Sequence, residues 1–178
     1  MLKCNPRQDH LLPRVFFWSV SDESKKGMET LYAYLAGVID THGRISISRD
    51  RGYRRGGREM AYYSALITLS DSDSVLPDLL QATFPARRLQ YEAKNRSHRA
   101  WHMWEAVGQS AQEPLIRLLP YLRIRRRQAE LALSLVTLMQ SDKAGSARPL
   151  SEEQQQARHL LYEQVKSLNA SRPQQTHR

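Results

Sequence analysis

The spacing of hydrophobic positions along the chain changes several times, and each change marks a new element. From Glu29, apolar residues recur at steps of three and four until Gly43, which predicts an amphipathic helix. Residues 44–50 then alternate between polar and apolar, and so do residues 61–69. Alternation with a period of two predicts strands with one buried face. The glycine-rich stretch 52–57 between them predicts the turn of a hairpin.

The second half of the chain repeats this order. The remaining predicted elements are a short helix at 75–80, strands at 87–92 and 99–107, and helices at 109–119, 121–140 and 151–169. Pairs of strands joined by tight turns favour an antiparallel sheet. The order therefore predicts an α+β fold, αββαββα, with all helices on one face of the sheet.

These elements indicate one domain over residues 28–170, with an N-terminal arm at 1–27 and a polar tail at 171–178. The longest apolar run, residues 31–39, is much shorter than the roughly 20 residues that cross a bilayer. The N-terminus lacks a signal-peptide pattern, and a single cysteine excludes a disulfide within the chain. We therefore expect a protein of the cytoplasm (nucleoid) or an organelle that is neither secreted nor bound to membranes.

The formal net charge of +9 is concentrated in three segments. Residues 44–58, 87–99 and 117–127 carry +5, +4 and +5, so the rest of the chain sums to 9 − 14 = −5. Basic segments separated by apolar ones indicate a surface that binds a polyanion, and nucleic acid is the first candidate. Polar side chains on the strand faces opposite the core suit base edges and phosphates. The candidate DNA-binding residues are Arg44, Ser46, Ser48, Arg54, Arg55, Tyr62, Ser64, Thr68, Arg88, Gln90, Lys94, Arg99 and Arg123.

Residues 35–43, Leu-Ala-Gly-Val-Ile-Asp-Thr-His-Gly, resemble the nine-residue motif that names the LAGLIDADG homing endonucleases. Residues 119–128 resemble a later segment of that family, where a helix starts near the scissile phosphates. The predicted element order is also the family's order. The resemblance, which covers roughly residues 28–170, implies a saddle-shaped antiparallel sheet that binds double-stranded DNA. It also implies site-specific cleavage with a divalent metal, for which the family's choice is Mg²⁺.

In the family, two copies of the motif helix pack together over the DNA minor groove, whereas this chain carries one copy. The resemblance thus implies a homodimer on a pseudopalindromic site of roughly 20 base pairs. Small residues allow two helices to approach closely. The expected dimer interface comprises Leu31, Ala33, Leu35, Ala36 and Gly37.

His42 stands at the motif position where the family has a metal-binding acidic residue. Mg²⁺ prefers oxygen ligands, whereas imidazole suits Mn²⁺ or another transition metal better. Asp40, the nearest carboxylate, is either a second metal ligand or a cap that buttresses the motif. By position, Arg125 matches the basic residue that stabilises charge on the phosphate. Asp71, or Ser70 beside it, either orients the attacking water or caps the following helix.

Two functions share these features. One is a homodimeric homing endonuclease, and the other is a descendant that binds without cleaving, as a DNA-binding regulator or as a maturase that splices intron RNA. Only the chemistry of His42 separates them. On the fourth strand, Trp104 is expected in the core, and Trp101, on the opposite face, is a candidate for contacts with sugar or bases.

Overall fold

The computed structural model describes residues 22–55, 58–92, 100–143 and 150–171. Its elements are α1 (Asp22–Thr41), β1 (Gly43–Arg55), β2 (Arg58–Asp71), α2 (Val75–Thr83), β3 (Arg87–Tyr91), β4 (Trp101–Val107), a short 3-10 turn (Gly108–Ala111), α3 (Gln112–Leu118), α4 (Arg126–Lys143) and α5 (Glu152–Ala170). The predicted α+β class and element order are confirmed.

The four strands form one antiparallel sheet in the order β1-β2-β4-β3. Ile45 of β1 lies opposite Ile67 of β2, and Leu69 of β2 lies opposite Trp104 of β4. All four side chains are buried. The inward alternation predicted for β1 and β2 is therefore confirmed, and Trp104 lies in the core, where its indole N–H donates to the carbonyl of Phe84 at 3.0 Å.

All five helices pack on this one face of the sheet. Residues of α1 to α4 join Ile67 and Trp104 in the larger hydrophobic cluster. Val165 of α5 packs with Ile47 and Tyr63, which continue the same inward alternation, in a second cluster. Helix α5 starts at a capping box, in which the Ser151 hydroxyl accepts from the amide of Gln154. Among the described residues, no helix packs on the opposite face of the sheet, which carries the outward side chains of the strands.

Helix α1 begins at Asp22 rather than at Glu29. Residues 24–30 are all exposed, so these first turns bury no side chain against the described residues and show no apolar period. The predicted N-terminal arm thus contributes its last residues to α1, while residues 1–21 and 172–178 lie outside the described residues. No helix in the described ranges is both long and apolar enough to cross a bilayer.

The first hairpin is longer than its sequence predicts. Strand β1 continues to Arg55 and β2 begins at Arg58, although a turn over residues 52–57 was expected. The pairing register shifts between Arg51 and Arg54. The two strands therefore continue to pair beyond the glycine at position 52, with a bulge-like irregularity at that point. The prediction of a turn over 52–55 is therefore wrong.

Candidate nucleic-acid interface

The β1–β2 half of the outer sheet face is rich in hydroxyl groups. Across the two strands, Arg44 lies opposite Thr68 and Ser48 opposite Ser64. The Ser48 hydroxyl donates to the Ser64 carbonyl at 3.4 Å, which leaves its oxygen free to accept. Asp50 and Ser70 also lie on this face, and its candidate DNA-binding residues with polar ends are Arg44, Ser46, Ser48, Tyr62, Ser64 and Thr68. Their predicted outward placement is confirmed, whereas their contact with DNA stays a prediction.

Two candidate residues of β3 lie on the other face. Arg88 pairs with Trp104 and Gln90 with His102, so both share the face that carries the core. The Arg88 guanidinium lies 2.8 Å from the Asp78 carboxylate of α2 and joins β3 to that helix. The prediction that Arg88 and Gln90 face away from the core is therefore wrong. On a short strand, shifting the assumed alternation by one residue moves every side chain to the opposite face of the sheet.

The surroundings of Asp78 also shift its pKa. A hydrogen bond from the Ser74 side chain and the neighbouring Arg88 guanidinium lower the pKa of Asp78. Arg88 thus has an acidic partner within the chain, whereas an arginine that binds phosphate needs its guanidinium available to the phosphate oxygens.

The other basic candidates occupy scattered positions. The backbone of Arg54 and Arg55 belongs to the far end of β1, where Arg55 pairs with Arg58. Arg123 is exposed just before α4. Lys94 and Arg99 lie outside the described residues.

Strand β1 starts immediately after α1, and this close junction requires a glycine. A Cβ atom at Gly43 would lie 2.9 Å from Cα and 3.0 Å from the carbonyl oxygen of Ile39. No other residue type fits there without a shift of the backbone. His42 is therefore held at the exposed corner between the helix and the first strand.

Asp40, in the last turn of α1, caps helix α4. Its Oδ2 accepts from the amides of Arg123 at 2.7 Å and Ile124 at 3.0 Å, and its Oδ1 accepts from the amide of Arg125 at 2.7 Å. The carboxylate is only 7% exposed. Of the two roles that the sequence leaves open for Asp40, the structure shows the cap, in which three of the roughly four acceptor sites of the carboxylate are used.

This cap also explains where α4 starts. The helix begins at Arg126, and the prediction of a start at Tyr121 is wrong. Residues 123–125 instead turn their amides toward Asp40, some 80 positions earlier in the chain. These amides belong to the turn directly before the helix, and the carboxylate that binds them also places a negative charge at the positive end of the helix dipole.

The ring of His42 is oriented by its neighbour Thr41. The Thr41 hydroxyl lies 2.9 Å from the carbonyl oxygen of Gly37 and 2.8 Å from Nδ1 of His42. A carbonyl can only accept, so the hydroxyl donates to Gly37 and its oxygen accepts from Nδ1–H. In the neutral ring this arrangement leaves the lone pair on Nε2. Sequence reasoning missed Thr41, although a hydroxyl residue directly before a histidine was the available signal.

Arg125 lies against the same turn of α1. Its Nε donates to the carbonyl of Ile39 at 2.9 Å while its amide binds Asp40. The side chain is half-buried. The structure thus brings Arg125 and His42, which are distant in sequence, to the end of one helix.

Asp71 and Ser70 occupy opposite faces at the end of β2. Asp71 pairs with His102 on the helix side of the sheet and accepts from the amide of Asp73 at 3.2 Å. It therefore closes a local turn and does not cap α2, so that expectation is wrong; the amide of Val75 at the start of α2 donates to Asp73 at 3.0 Å instead. Asp71 also lies on the face opposite the outer surface that the water-orienting role requires. Ser70 is exposed on the outer face, one residue beyond Leu69, which pairs with Gly43. Ser70 rather than Asp71 is thus the polar side chain beside the junction of α1 and β1.

The residues at this junction do not fit Mg²⁺. Mg²⁺ demands oxygen ligands, but the carboxylate of Asp40 is engaged as a cap and the neighbouring side chain is an imidazole. Within the described ranges, no group of three or more His, Cys, Asp and Glu side chains could hold a metal ion. The available ligand atom, Nε2 of His42, suits a transition metal better.

The exposed face of α1 is narrower than the predicted dimer interface. Ala33 and Gly37 are exposed on one stripe, and Leu31 is half-buried against the core. Leu35 and Ala36 are fully buried within the chain, so their assignment to an interface is wrong. The helical period turns Leu35 to the side of α1 opposite Gly37. A Cβ atom at Gly37 would meet nothing within 4 Å, so no contact with the described part of the chain explains this glycine.

The element order, the open polar sheet face and the motif at the end of α1 together define a LAGLIDADG-type fold. No family model matches the chain, and no curated protein sequence matches it. Among solved structures, the homing endonuclease I-CvuI, in complex with the I-CreI target in 2 mM Mg with the DNA not cleaved, is 20% identical with a TM-score of 0.64. That match covers 84% of this chain and 88% of that chain.

Two further structures show the same likeness. The group I intron-encoded homing endonuclease I-CeuI, complexed with DNA, is 14% identical with a TM-score of 0.60, over 83% of this chain and 70% of that one. The LAGLIDADG homing endonuclease I-LtrWI, bound to target DNA, is 16% identical with a TM-score of 0.51, over 83% of this chain and 46% of that one. The resemblance carried by the motif is confirmed by the fold: this chain has the fold of the LAGLIDADG homing endonucleases.

Proposed function

We propose that this chain binds a specific double-stranded DNA site with the outer face of its sheet. The observation that carries this proposal is the hydroxyl-rich outer face of β1 and β2, with Arg44 among the hydroxyls. Hydroxyl and guanidinium groups bind phosphates and base edges, and a two-stranded ribbon fits the major groove. The 13 residues of β1 extend over about 40 Å at ~3.3 Å per residue. That length matches about 12 base pairs at ~3.4 Å each.

The DNA-bound form is a homodimer that pairs through α1. Ala33, Gly37 and Thr41 recur at four-residue steps on the exposed side of the helix, and the space around Gly37 is open. Small residues at this spacing let two helix backbones approach closely. Two chains related by a two-fold axis would read a pseudopalindromic site of roughly 20 base pairs.

Selection from a library of random duplexes tests the proposal. We expect enrichment of pseudopalindromic sites and a log K against log salt slope steeper than about −4, because several phosphates are neutralised. Arg44→Gln should reduce the slope by about one. Arg88→Gln is the matched control, since Arg88 lies on the helix side of the sheet and should leave the slope unchanged. A lack of enriched sequences together with a slope near zero would refute DNA binding.

Phosphodiester cleavage is a second candidate, favoured by the position of Arg125. Its guanidinium donates to the carbonyl of Ile39 in the last turns of α1, close to the junction with β1, where it could contact a phosphate that crosses this junction. Arginine binds phosphate oxygens through a planar fork and keeps its charge at any working pH. A divalent metal would supply an activated water and charge stabilisation when bound. The chain's own contribution is Nε2 of His42, which is held outward by Thr41.

A nicking assay with Mg²⁺, Mn²⁺ and Ni²⁺ on the selected site tests this candidate. We expect wild-type protein to give little cleavage with Mg²⁺, because His42 offers nitrogen instead of oxygen. His42→Asp restores a carboxylate in each chain and should raise Mg²⁺-dependent cleavage while DNA affinity stays within about tenfold. Efficient cleavage by the wild-type protein with Mg²⁺, unchanged in His42→Asp, would show that the reacting groups lie elsewhere.

Binding without cleavage is the alternative, and the capped Asp40 favours it. With that carboxylate engaged and an imidazole at position 42, the chain would serve as a DNA-binding regulator or as an intron RNA maturase. Competition between the selected duplex and structured RNA separates these two forms. Preferential binding of the duplex indicates a regulator, and preferential binding of the RNA indicates a maturase.

A further inference from the structure

The outer face of the sheet is chemically divided, and its β3–β4 half differs from its β1–β2 half. The pairing register places seven side chains of β3 and β4 on this face. Five of them are apolar or aromatic, whereas the β1–β2 half carries mainly hydroxyls. The outward residues of the β3–β4 half are Arg87, Leu89, Tyr91, Trp101, Met103, Glu105 and Val107. We call the five apolar and aromatic residues among them the aromatic patch.

A stacked pair of rings forms the end of this patch. Tyr91 and Trp101 lie opposite each other across β3 and β4, with ring centroids 4.0 Å apart and planes 6° from parallel. They remain 41% and 38% exposed. Leu89 and Met103 form the next outward pair and are half-buried. Exposed aromatic rings beside further apolar side chains usually mark a binding surface.

The patch is continuous with the proposed DNA-binding face. A single row of paired residues crosses all four strands, from Arg44 through Thr68 and Glu105 to Arg87. Glu105 lies 3.5 Å from the Arg87 guanidinium, so its charge is balanced within the row. DNA that follows the hydroxyls of β1 and β2 across this row would therefore reach the aromatic patch without meeting an unpaired acid there.

We propose that the aromatic patch reads thymine by contact with its C5-methyl group in the major groove. This inference rests on the proposed function. Among the base edges exposed in the major groove, the thymine methyl is the apolar group, and apolar side chains are its usual partners. The hydroxyl half of the face would then read hydrogen-bonding edges, while the aromatic patch selects T·A pairs at its own positions.

Replacing thymine by deoxyuridine in the selected duplex removes only the methyl groups and leaves the hydrogen-bonding edges in place. We expect wild-type protein to bind the deoxyuridine duplex about fourfold more weakly per contacted methyl group. Single replacements along the site should locate the loss at a few positions. Trp101→Ser and Tyr91→Ser should bind both duplexes with nearly equal affinity. Val75→Ser, which changes an exposed apolar residue on the helix side, is the matched control and should keep the wild-type preference.

Three outcomes would overturn the inference. Equal binding of both duplexes by the wild-type protein would exclude methyl contacts while leaving DNA binding intact. A preference that persists in both Trp101→Ser and Tyr91→Ser would place the methyl contacts elsewhere on the protein. Failure to enrich any duplex would remove the proposed function together with this inference, so the two failures are distinguishable.

Discussion

Replacing Asp40 by asparagine tests whether this carboxylate is a structural cap or a metal ligand. The amide retains one acceptor oxygen, so it can serve the amides of Arg123 and Ile124 or the amide of Arg125, but not all three. At least one hydrogen bond to a charged acceptor is lost, and the others become neutral bonds. Bonds to charged groups contribute about 1.5–3 kcal/mol each, so we expect a loss of about 2–3 kcal/mol in the free energy of unfolding.

Thermal unfolding and amide hydrogen exchange measure this effect. In a domain of this size, that loss lowers Tm by about 5–10 °C. The amides of Arg123, Ile124 and Arg125 should exchange faster with solvent. Asp50→Asn, which changes an exposed acid on β1, is the control and should leave both measurements unchanged. If Asp40→Asn keeps the wild-type Tm and exchange rates, the capping role is refuted. Loss of metal binding in that stable variant would identify Asp40 as a ligand.

Three further predictions follow from the contacts described above. Gly37→Leu should weaken dimerisation by more than about 1 kcal/mol through overpacking, as measured by sedimentation, whereas Gly27→Leu should not; a monomeric wild-type protein, with and without DNA, would contradict the dimer. Gly43→Ala should lower stability by about 1–3 kcal/mol in chemical unfolding, because its Cβ meets the backbone of Ile39; unchanged stability would show that the junction relaxes freely. Arg88→Gln should raise the pKa of Asp78 in an NMR titration. The pKa of Asp78 is lower in the folded chain than the ordinary value of 3.8, so the contacts of the ionised carboxylate stabilise the fold above that pH. Their contribution is lost as the pH falls through the folded pKa. An unchanged Asp78 titration in Arg88→Gln would contradict the ion pair.

Local periodicity was sufficient to predict which residues of β1 and β2 face the core, although not where the two strands end. Inward residues such as Ile45 and Ile67 alternate with polar ones over several positions, so the phase of each strand is fixed. Strand β3 has five residues, and its Leu89 looks like a core residue although it faces outward. Pairing with β4 determines which residues of β3 face the core, and five residues are too few for periodicity alone to show this.

The candidate site was predictable in its positions but not in its contacts. The motif located Asp40 and His42, and the later segment located Arg125. The engagement of Asp40 by amides more than 80 residues away depends on how α1 and α4 pack, which no local pattern encodes. The opposite placement of Ser70 and Asp71, by contrast, continues the local alternation that already places Leu69 inward. Long-range packing therefore decided which side chains remain available for chemistry.

Because Asp40 caps α4, it maintains the fold, whereas the residue at position 42 sets which chemistry is available at the end of α1. A change at Asp40 disturbs the joint between two helices, so selection for a folded chain preserves it whatever the chain does. His42 is exposed at a corner, and substitutions there cost the fold little. The residue at position 42 can therefore be exchanged, for a carboxylate among others, without rebuilding the scaffold. For protein engineering, the same separation makes position 42 a place to introduce or remove reactivity while the proposed DNA-binding surface stays unchanged.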